Sequence, residues 1–194
     1  ITLSSQKAFE VHPIVTIKTG TIKALKRCVD TSKAVELTLN DVTLIADNYT
    51  SDYSNPQPLT IGGFEHGTVV NMTNVNISAK QGYGIITFVQ TELTAINSSV
   101  DAYGALYVKT DSANSTFNFI NTSITSDILS GDTAGNSFGA IVISANGVSV
   151  HLDSTSRVEA KGNNSYAIAL GTKDSSDQEI VKNVDIEIKG TIVG

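Results

Sequence analysis

Residues 37–44 read Leu-Thr-Leu-Asn-Asp-Val-Thr-Leu: two apolar residues separated by one position, with a third apolar residue five positions later. The same pattern recurs along the chain. Its first position falls at Val15, Leu37, Val70, Leu93, Phe117, Val150 and Ile186, at intervals of 22–36 residues. A basic period of 22–24 residues with occasional insertions explains every interval. Periods of roughly 20–50 residues are typical of solenoids, propellers and arrays.

The spacing of the first two apolar residues is that of a β-strand, in which successive side chains point to opposite faces. Polar residues follow at one fixed place in the repeat, at Asp41, Asn74, Asn97 and Asn121. Asn and Asp tolerate the left-handed backbone of tight turns. Because one repeat is too short to bury its apolar side chains alone, the repeats must stack. The pattern predicts an all-β fold, a parallel β-helix. A β-sandwich is the alternative, since its strands also recur at short spacing.

A second recurring pattern, an aromatic residue followed by a small one, predicts another strand in each repeat. The gap-free alignment runs through Tyr83-Gly84, Tyr103-Gly104 and Phe138-Gly139, with Tyr166-Ala167 as a shifted fourth copy. We expect these rings to form a ladder along one edge of the solenoid. Buried rings would contribute about 0.5–1.5 kcal/mol per stacked pair. Exposed rings would form a ligand-binding platform for sugar faces, which Tyr49 and Tyr53 could extend.

The composition excludes several classes of partner. The formal charge is −6, and nucleic-acid binding needs clustered Lys and Arg, so no nucleic-acid partner is expected. No apolar run approaches the roughly 20 residues of a membrane helix, so membrane insertion is not expected either. The single cysteine, Cys28, excludes an internal disulfide framework, and a small buried filler is its expected role.

The residues Val15-Thr16-Ile17-Lys18-Thr19-Gly20-Thr21-Ile22 and the run 37–44 resemble the right-handed β-helix repeats of bacterial surface adhesins and autotransporter passengers. The resemblance extends from Val15 to Ile192. It implies a right-handed parallel β-helix, which the repeats divide into about seven coils. It also implies an extracellular or surface-displayed domain, one stretch of a longer chain. Three polar segments interrupt the period as loop excursions: Ala46 to Pro58, Ser126 to Ser137 and Gly171 to Glu179.

Residues 1–194 contain no further segment that reads as a linker, so a single domain is expected. The edges of terminal coils carry unpaired strands, which favour end-to-end self-association. Residues Ile1 to Ile14 match no repeat and could cover the first coil.

Polysaccharide-cleaving enzymes also use this architecture, so a lyase or hydrolase is the alternative function. Glycoside hydrolysis needs two carboxylates about 5–10 Å apart. Polygalacturonase-type hydrolases carry Asn-Thr-Asp, Asp-Asp, Gly-His-Gly and Arg-Ile-Lys motifs, and none of the four occurs in this sequence. Only Arg27 and Arg157 could serve as a lyase arginine, and neither has acidic residues at matching repeat positions.

No metal site or cofactor is predicted. His12, His66 and His151 have no zinc-ligand spacing and are expected at the surface or in turns. Asp47 with Asp52, and Asp174 with Asp177, offer oxygen ligands of the kind that calcium prefers, and calcium binding there stays open. The sequence therefore predicts a non-catalytic, adhesin-like stalk or binding face whose partner is a glycan or a host-surface component.

Overall fold

The structure is a computed structural model that describes residues 2–3, 14–31, 36–46, 56–62, 67–127, 139–162, 166–171 and 181–194. These residues form seventeen β-strands, and no helix occurs among them. All of the strand pairings are parallel. The fold is therefore an all-β, parallel, solenoid-like sheet. The β-sandwich alternative is wrong, because sandwiches are built from antiparallel sheets.

The strands line three faces, which we call the first, second and third face in chain order. Four long strands bend at a corner and belong to two faces: β2 (Ile14–Ala24), β4 (Glu36–Ala46), β7 (Asn76–Thr87) and β9 (Ser99–Val108). The first face contains the initial parts of β2 and β4 with β6 (Thr68–Thr73), β8 (Thr91–Ile96), β10 (Thr116–Ile120), β13 (Ser149–Leu152) and β16 (Asp185–Ile188).

The second face contains the later parts of β2 and β4 and the initial parts of β7 and β9. It is completed by β11 (Ser123–Ser126), β14 (Arg157–Ala160) and β17 (Thr191–Val193). The third face contains the later parts of β7 and β9 with β1 (Thr2–Leu3), β3 (Val29–Thr31), β5 (Leu59–Ile61), β12 (Gly139–Ile143) and β15 (Tyr166–Leu170).

The register of the first two faces confirms the sequence repeat position by position. Along the first face, the paired residues are Val15, Leu37, Val70, Leu93, Phe117, Val150 and Ile186. Along the second face they are Ile22, Leu44, Ile77, Val100, Ile124, Val158 and Ile192. Each apolar position of the repeat therefore stacks on its own copy in the next repeat.

The stacked positions form the hydrophobic core. Its expected members are at most 1% exposed: Leu37, Leu39, Leu44, Val70, Met72, Ile77, Phe117, Phe119 and Ile124. Val15 and Ile186, at the first and last copies of the repeat, are half-buried against this core. Cys28 is buried as expected, with its Sγ 3.3 Å from the Ile22 carbonyl oxygen and 3.2 Å from that of Ile45.

The corner between the first and second faces has the predicted left-handed turns. Asp41, Asn74, Asn97 and Asn121 have φ angles between 47° and 55°. Their side chains also bond between repeats: Asn74 Nδ2 donates to Asp41 Oδ1 at 2.9 Å, and Asn121 Nδ2 donates to Asn97 Oδ1 at 2.8 Å. The same residue type therefore serves both the turn and the stacking of one turn on the next.

A buried hydroxyl ladder lies at the same corner. Ser98 and Thr122 immediately follow Asn97 and Asn121, and Ser156 continues the ladder in the next repeat. The backbone N–H of Val75 donates to Ser98 Oγ at 3.1 Å, and that of Thr122 donates to Ser156 Oγ at 3.0 Å. Buried backbone N–H groups need hydrogen-bond acceptors. These hydroxyl oxygens supply the acceptors at the corner, where the backbone hydrogen bonds of the sheet are interrupted.

The third face departs from the gap-free alignment. Tyr83 pairs with Gly104 instead of Tyr103, because β7 carries extra residues between Ala79 and Tyr83 that shift the register. The pairing of residues 106–108 with 141–143 agrees with the alignment of the second and third copies of the motif. The expected register was therefore wrong by one residue at Tyr83.

The small residues of this motif are required by close approach between repeats. A Cβ on Gly104 would lie 2.7 Å from Cε1 of the Tyr83 ring, and a Cβ on Gly139 would lie 2.6 Å from the Tyr166 carbonyl oxygen. Real Cβ atoms do not come this close to other heavy atoms. The recurrence of the aromatic–small pair therefore reflects packing of one repeat against the next.

Val70 and Val69 provide a matched test of the core. They are neighbours on β6, with Val70 fully buried and Val69 exposed on the outer surface. Val70→Ala should lower the free energy of unfolding by about 2 kcal/mol more than Val69→Ala, since both lose the same strand propensity but only Val70 leaves a cavity. Equal losses in chemical denaturation would contradict this register.

Asn97 tests the turn. Asn97→Ala should destabilise the protein by about 1–2 kcal/mol, because alanine is strained at positive φ and the bond from Asn121 is lost. Asn97→Gly removes the strain and should recover part of the loss. If alanine and glycine gave the same unfolding free energy, backbone strain would play no part at this corner.

Candidate binding site on the first face

The predicted aromatic site is only partly within the described residues. Tyr49, Tyr53 and Phe138 lie outside them. Tyr83 and Tyr103 are half-buried, whereas Tyr166 is 60% exposed. The ligand-binding role of these six residues therefore stays a prediction.

The Tyr83 ring contacts a tyrosine that the sequence motif did not single out as a ladder member. The centroids of the Tyr83 and Tyr107 rings lie 4.9 Å apart with the planes tilted by 42°. Lys109 Nζ lies 4.7 Å from the Tyr107 centroid and 5.9 Å from that of Phe88, within range of a cation–π interaction. Side chains alternate between inward and outward positions along the strand, and Tyr107 occupies an outward position in the same motif. This alternation was the signal that could have identified Tyr107.

The outward face of the first sheet contains a shallow groove with a volume of about 280 Å³. Its outward-pointing lining residues are Thr94, Asn118, Ile120, His151, Asp153, Glu187 and Lys189. The register explains why they converge. Thr94, Asn118, His151 and Glu187 are successive partners across β8, β10, β13 and β16. Residues far apart in sequence thus become neighbours along one row.

Glu187 is held between two basic side chains. Its Oε1 accepts a hydrogen bond from Lys189 Nζ at 2.9 Å, and its Oε2 lies 3.5 Å from His151 Nδ1. The bond and charge of Lys189, followed by those of His151, lower the pKa of the Glu187 carboxyl. Glu187 is therefore ionised at neutral pH.

Asp153 is fixed by the corner that follows β13. Ser156 Oγ and Thr155 Oγ1 each donate to its carboxylate at 2.7 Å, and the backbone N–H of Asn121 donates at 3.1 Å. These hydrogen bonds, led by those of Ser156 and Thr155, lower the pKa of Asp153 to about 2. Donors that bind a carboxylate favour its charged form.

The groove therefore presents two ionised carboxylates beside an amide, a hydroxyl and two basic groups. Glycoside hydrolysis needs one carboxyl to stay protonated as the general acid, which a raised pKa would allow. The pKa values of Asp153 and Glu187 are both lowered instead of raised. Both carboxyl groups are therefore hydrogen-bond acceptors in the folded protein.

Sequence reasoning did not identify this groove. His151 was expected at the surface, and Asp153 and Glu187 were not singled out. The repeat spacing could have predicted that His151 and Glu187 are neighbours. The 36-residue interval from Val150 to Ile186 also separates His151 from Glu187. Writing the repeats in columns brings these positions together, whereas scanning for contiguous motifs does not.

The residues considered as metal ligands fall largely outside the described part of the chain: His12, His66, Asp47, Asp52, Asp174 and Asp177. Among the described residues, no group of three His, Cys, Asp or Glu side chains is placed to hold a metal ion. Nor do those residues form any helix long and apolar enough to cross a membrane. No family model, curated protein or solved structure matches this chain.

The depressed pKa of Asp153 predicts an acid-sensitive contribution to stability. The folded carboxyl titrates near 2 and the ordinary value is 3.8, so its stabilising effect is complete above about pH 4 and is lost as the pH falls toward 2. The unfolding free energy of the wild type, measured by urea denaturation, should fall across this range. Asp153→Asn should lose less over the same interval, while Asp101→Asn, on the second face, should behave as the wild type. A fall in Asp153→Asn as large as that of the wild type would contradict the assignment.

Proposed function

We propose that this chain is a right-handed parallel β-helix of about seven coils within a non-catalytic, surface-displayed adhesin-like protein of bacteria, and that its first face binds a glycan of the host or environment. The observation that carries the proposal is the groove built across four successive repeats by the row Thr94, Asn118, His151 and Glu187, with Asp153 and Lys189 beside its last two members. It supports binding because the carboxylates of Asp153 and Glu187 are ionised and are each hydrogen-bonded to a neighbouring side chain.

The stacking supports a role as a stiff support for this face. Backbone hydrogen bonds join each repeat to the next, and an unbroken apolar core runs through them. Seven coils at roughly 4.8 Å each span about 34 Å. A binding face on such a rod has little conformational freedom to lose when a ligand binds, and preorganisation of this kind raises affinity.

The side chains of the groove suit a neutral or amino sugar. Carboxylate and amide oxygens accept hydrogen bonds from sugar hydroxyls, and Lys189 and His151 can donate to ring or hydroxyl oxygens. Ile120, which is 41% exposed, offers an apolar contact for a C–H face of the sugar. Two carboxylates in so small a groove disfavour an anionic sugar at this position.

Glu187 and Glu159 permit a matched test. Both are glutamates at outward strand positions with a basic partner, Glu187 on the first face and Glu159 beside Arg157 on the second. The purified protein is screened on a glycan array, and affinities for its best ligand are measured by calorimetry. Glu187→Gln should weaken binding about tenfold, because a charge-assisted hydrogen bond contributes roughly 1.5–3 kcal/mol. Glu159→Gln should bind as the wild type.

Three outcomes would contradict the proposal. One is the absence of any glycan bound by the wild type. Another is an equal effect of the two variants, which would show that the groove is not the site. The third is cleavage of the bound glycan, detected by mass spectrometry of the recovered ligand, which would favour the lyase or hydrolase alternative.

A further inference from the structure

Charge is distributed unevenly along the chain. Residues 1–35 contain six Lys or Arg and two Asp or Glu, whereas the remaining residues contain seven and seventeen. The overall negative charge therefore conceals a basic first repeat. Four of its cations lie in the described residues, and all four are exposed: Lys18, Lys23, Lys26 and Arg27.

These four residues, which we call the basic collar, lie around two corners of a single repeat. Lys18 points outward from the first face and Lys23 from the second, with the turn at Thr19 and Gly20 between them. Lys26 and Arg27 follow in the next corner, before β3. The collar thus surrounds part of the solenoid at one level instead of forming a single spot.

In the described part of the chain, the acids nearest to the collar are Asp30 and Asp41, and Asp41 lies between the strand partners of Lys18 and Gly20. Lys18 pairs in register with Asn40 and Lys23 with Ile45, both uncharged. Arg27 is paired with Asp30. Among the described residues, Lys18, Lys23 and Lys26 take part in no ion pair. Lysines that bind a polyanion release the cations condensed on it, and this release drives the binding at low salt.

We propose that the basic collar binds an anionic polysaccharide, one bearing sulfate or carboxylate groups. A flexible linear polyanion can follow cations that are spread around two corners, which a flat surface cannot do. Lysine ammonium groups are point charges that suit sulfate and carboxylate without requiring a fixed planar geometry. This site lies in the first repeat and is distinct from the groove, whose carboxylates disfavour the same ligands.

The probe is heparin, with binding measured by calorimetry between about 50 and 200 mM NaCl. Wild type should bind, with affinity falling linearly on a log–log plot against salt. Lys18→Glu/Lys23→Glu should weaken binding at least about tenfold and flatten the salt dependence, because two cationic contacts are lost. The control Lys80→Glu/Lys182→Glu makes the same change in net charge at two exposed lysines outside the collar and should have little effect.

Lys18→Gln/Lys23→Gln, which only neutralises the two charges, should give an intermediate loss of heparin affinity. Thermal unfolding of each variant checks that it folds. Lys80→Gln/Lys182→Gln, the matched neutral change at two exposed lysines outside the collar, should leave heparin binding nearly unchanged. Equal weakening by the collar and control variants would overturn the proposal, since only net charge would then matter. The absence of wild-type heparin binding at about 50 mM NaCl would also overturn the proposal. So would binding to phosphatidylserine vesicles without binding to heparin. That result would identify an anionic membrane as the partner of the collar and of the exposed Leu25 beside it.

Discussion

The parallel pairing of each repeat with the next, in one register, is the constraint on which the rest of this structure depends. Side chains alternate along a strand, so a shift of one residue would turn Leu37 and Leu39 outward and bring Thr38 into the core. The correct register simultaneously buries the apolar column, stacks Asn121 on Asn97 at the corner, and aligns His151 with Glu187 on the outer surface. Core, turn and candidate site therefore have one common cause.

The first two faces could be predicted from the sequence because their information is local and repeated. Each copy carries the same alternation and, at the corner, an Asn or Asp able to adopt positive φ. The third face was harder for two physical reasons. Residues 80–82 lengthen one repeat, but the aromatic–small motif that follows them is unchanged in the sequence. Tyr83 therefore pairs with Gly104 although the motif aligns it with Tyr103. Ile86 and Val142 alternate with core positions, so their side chains are expected to be exposed on the outer surface. Both are nevertheless buried, as in parallel strands that are covered on both sides.

The groove could not have been found by searching for contiguous motifs. Its acids lie on β16 and just after β13, and neither has a sequence neighbour that signals chemistry. Their pKa values depend on Lys189 and on Ser156 and Thr155, contacts that exist only when the corners have their folded geometry. Repetition made the backbone predictable, whereas the proposed function rests on positions where the repeats differ. The basic first repeat and the groove, with its paired acidic and basic side chains, are two such differences between the repeats.

A crystal structure at a resolution that places side chains tests the common register most directly. We expect a single interior column formed by Leu37, Val70, Leu93, Phe117 and Val150, with successive Cα atoms roughly 4.8 Å apart in parallel strands. We also expect His151 and Glu187 side by side on the outer surface. Antiparallel pairing of these strands, or a register that turns this column toward solvent, would contradict the account.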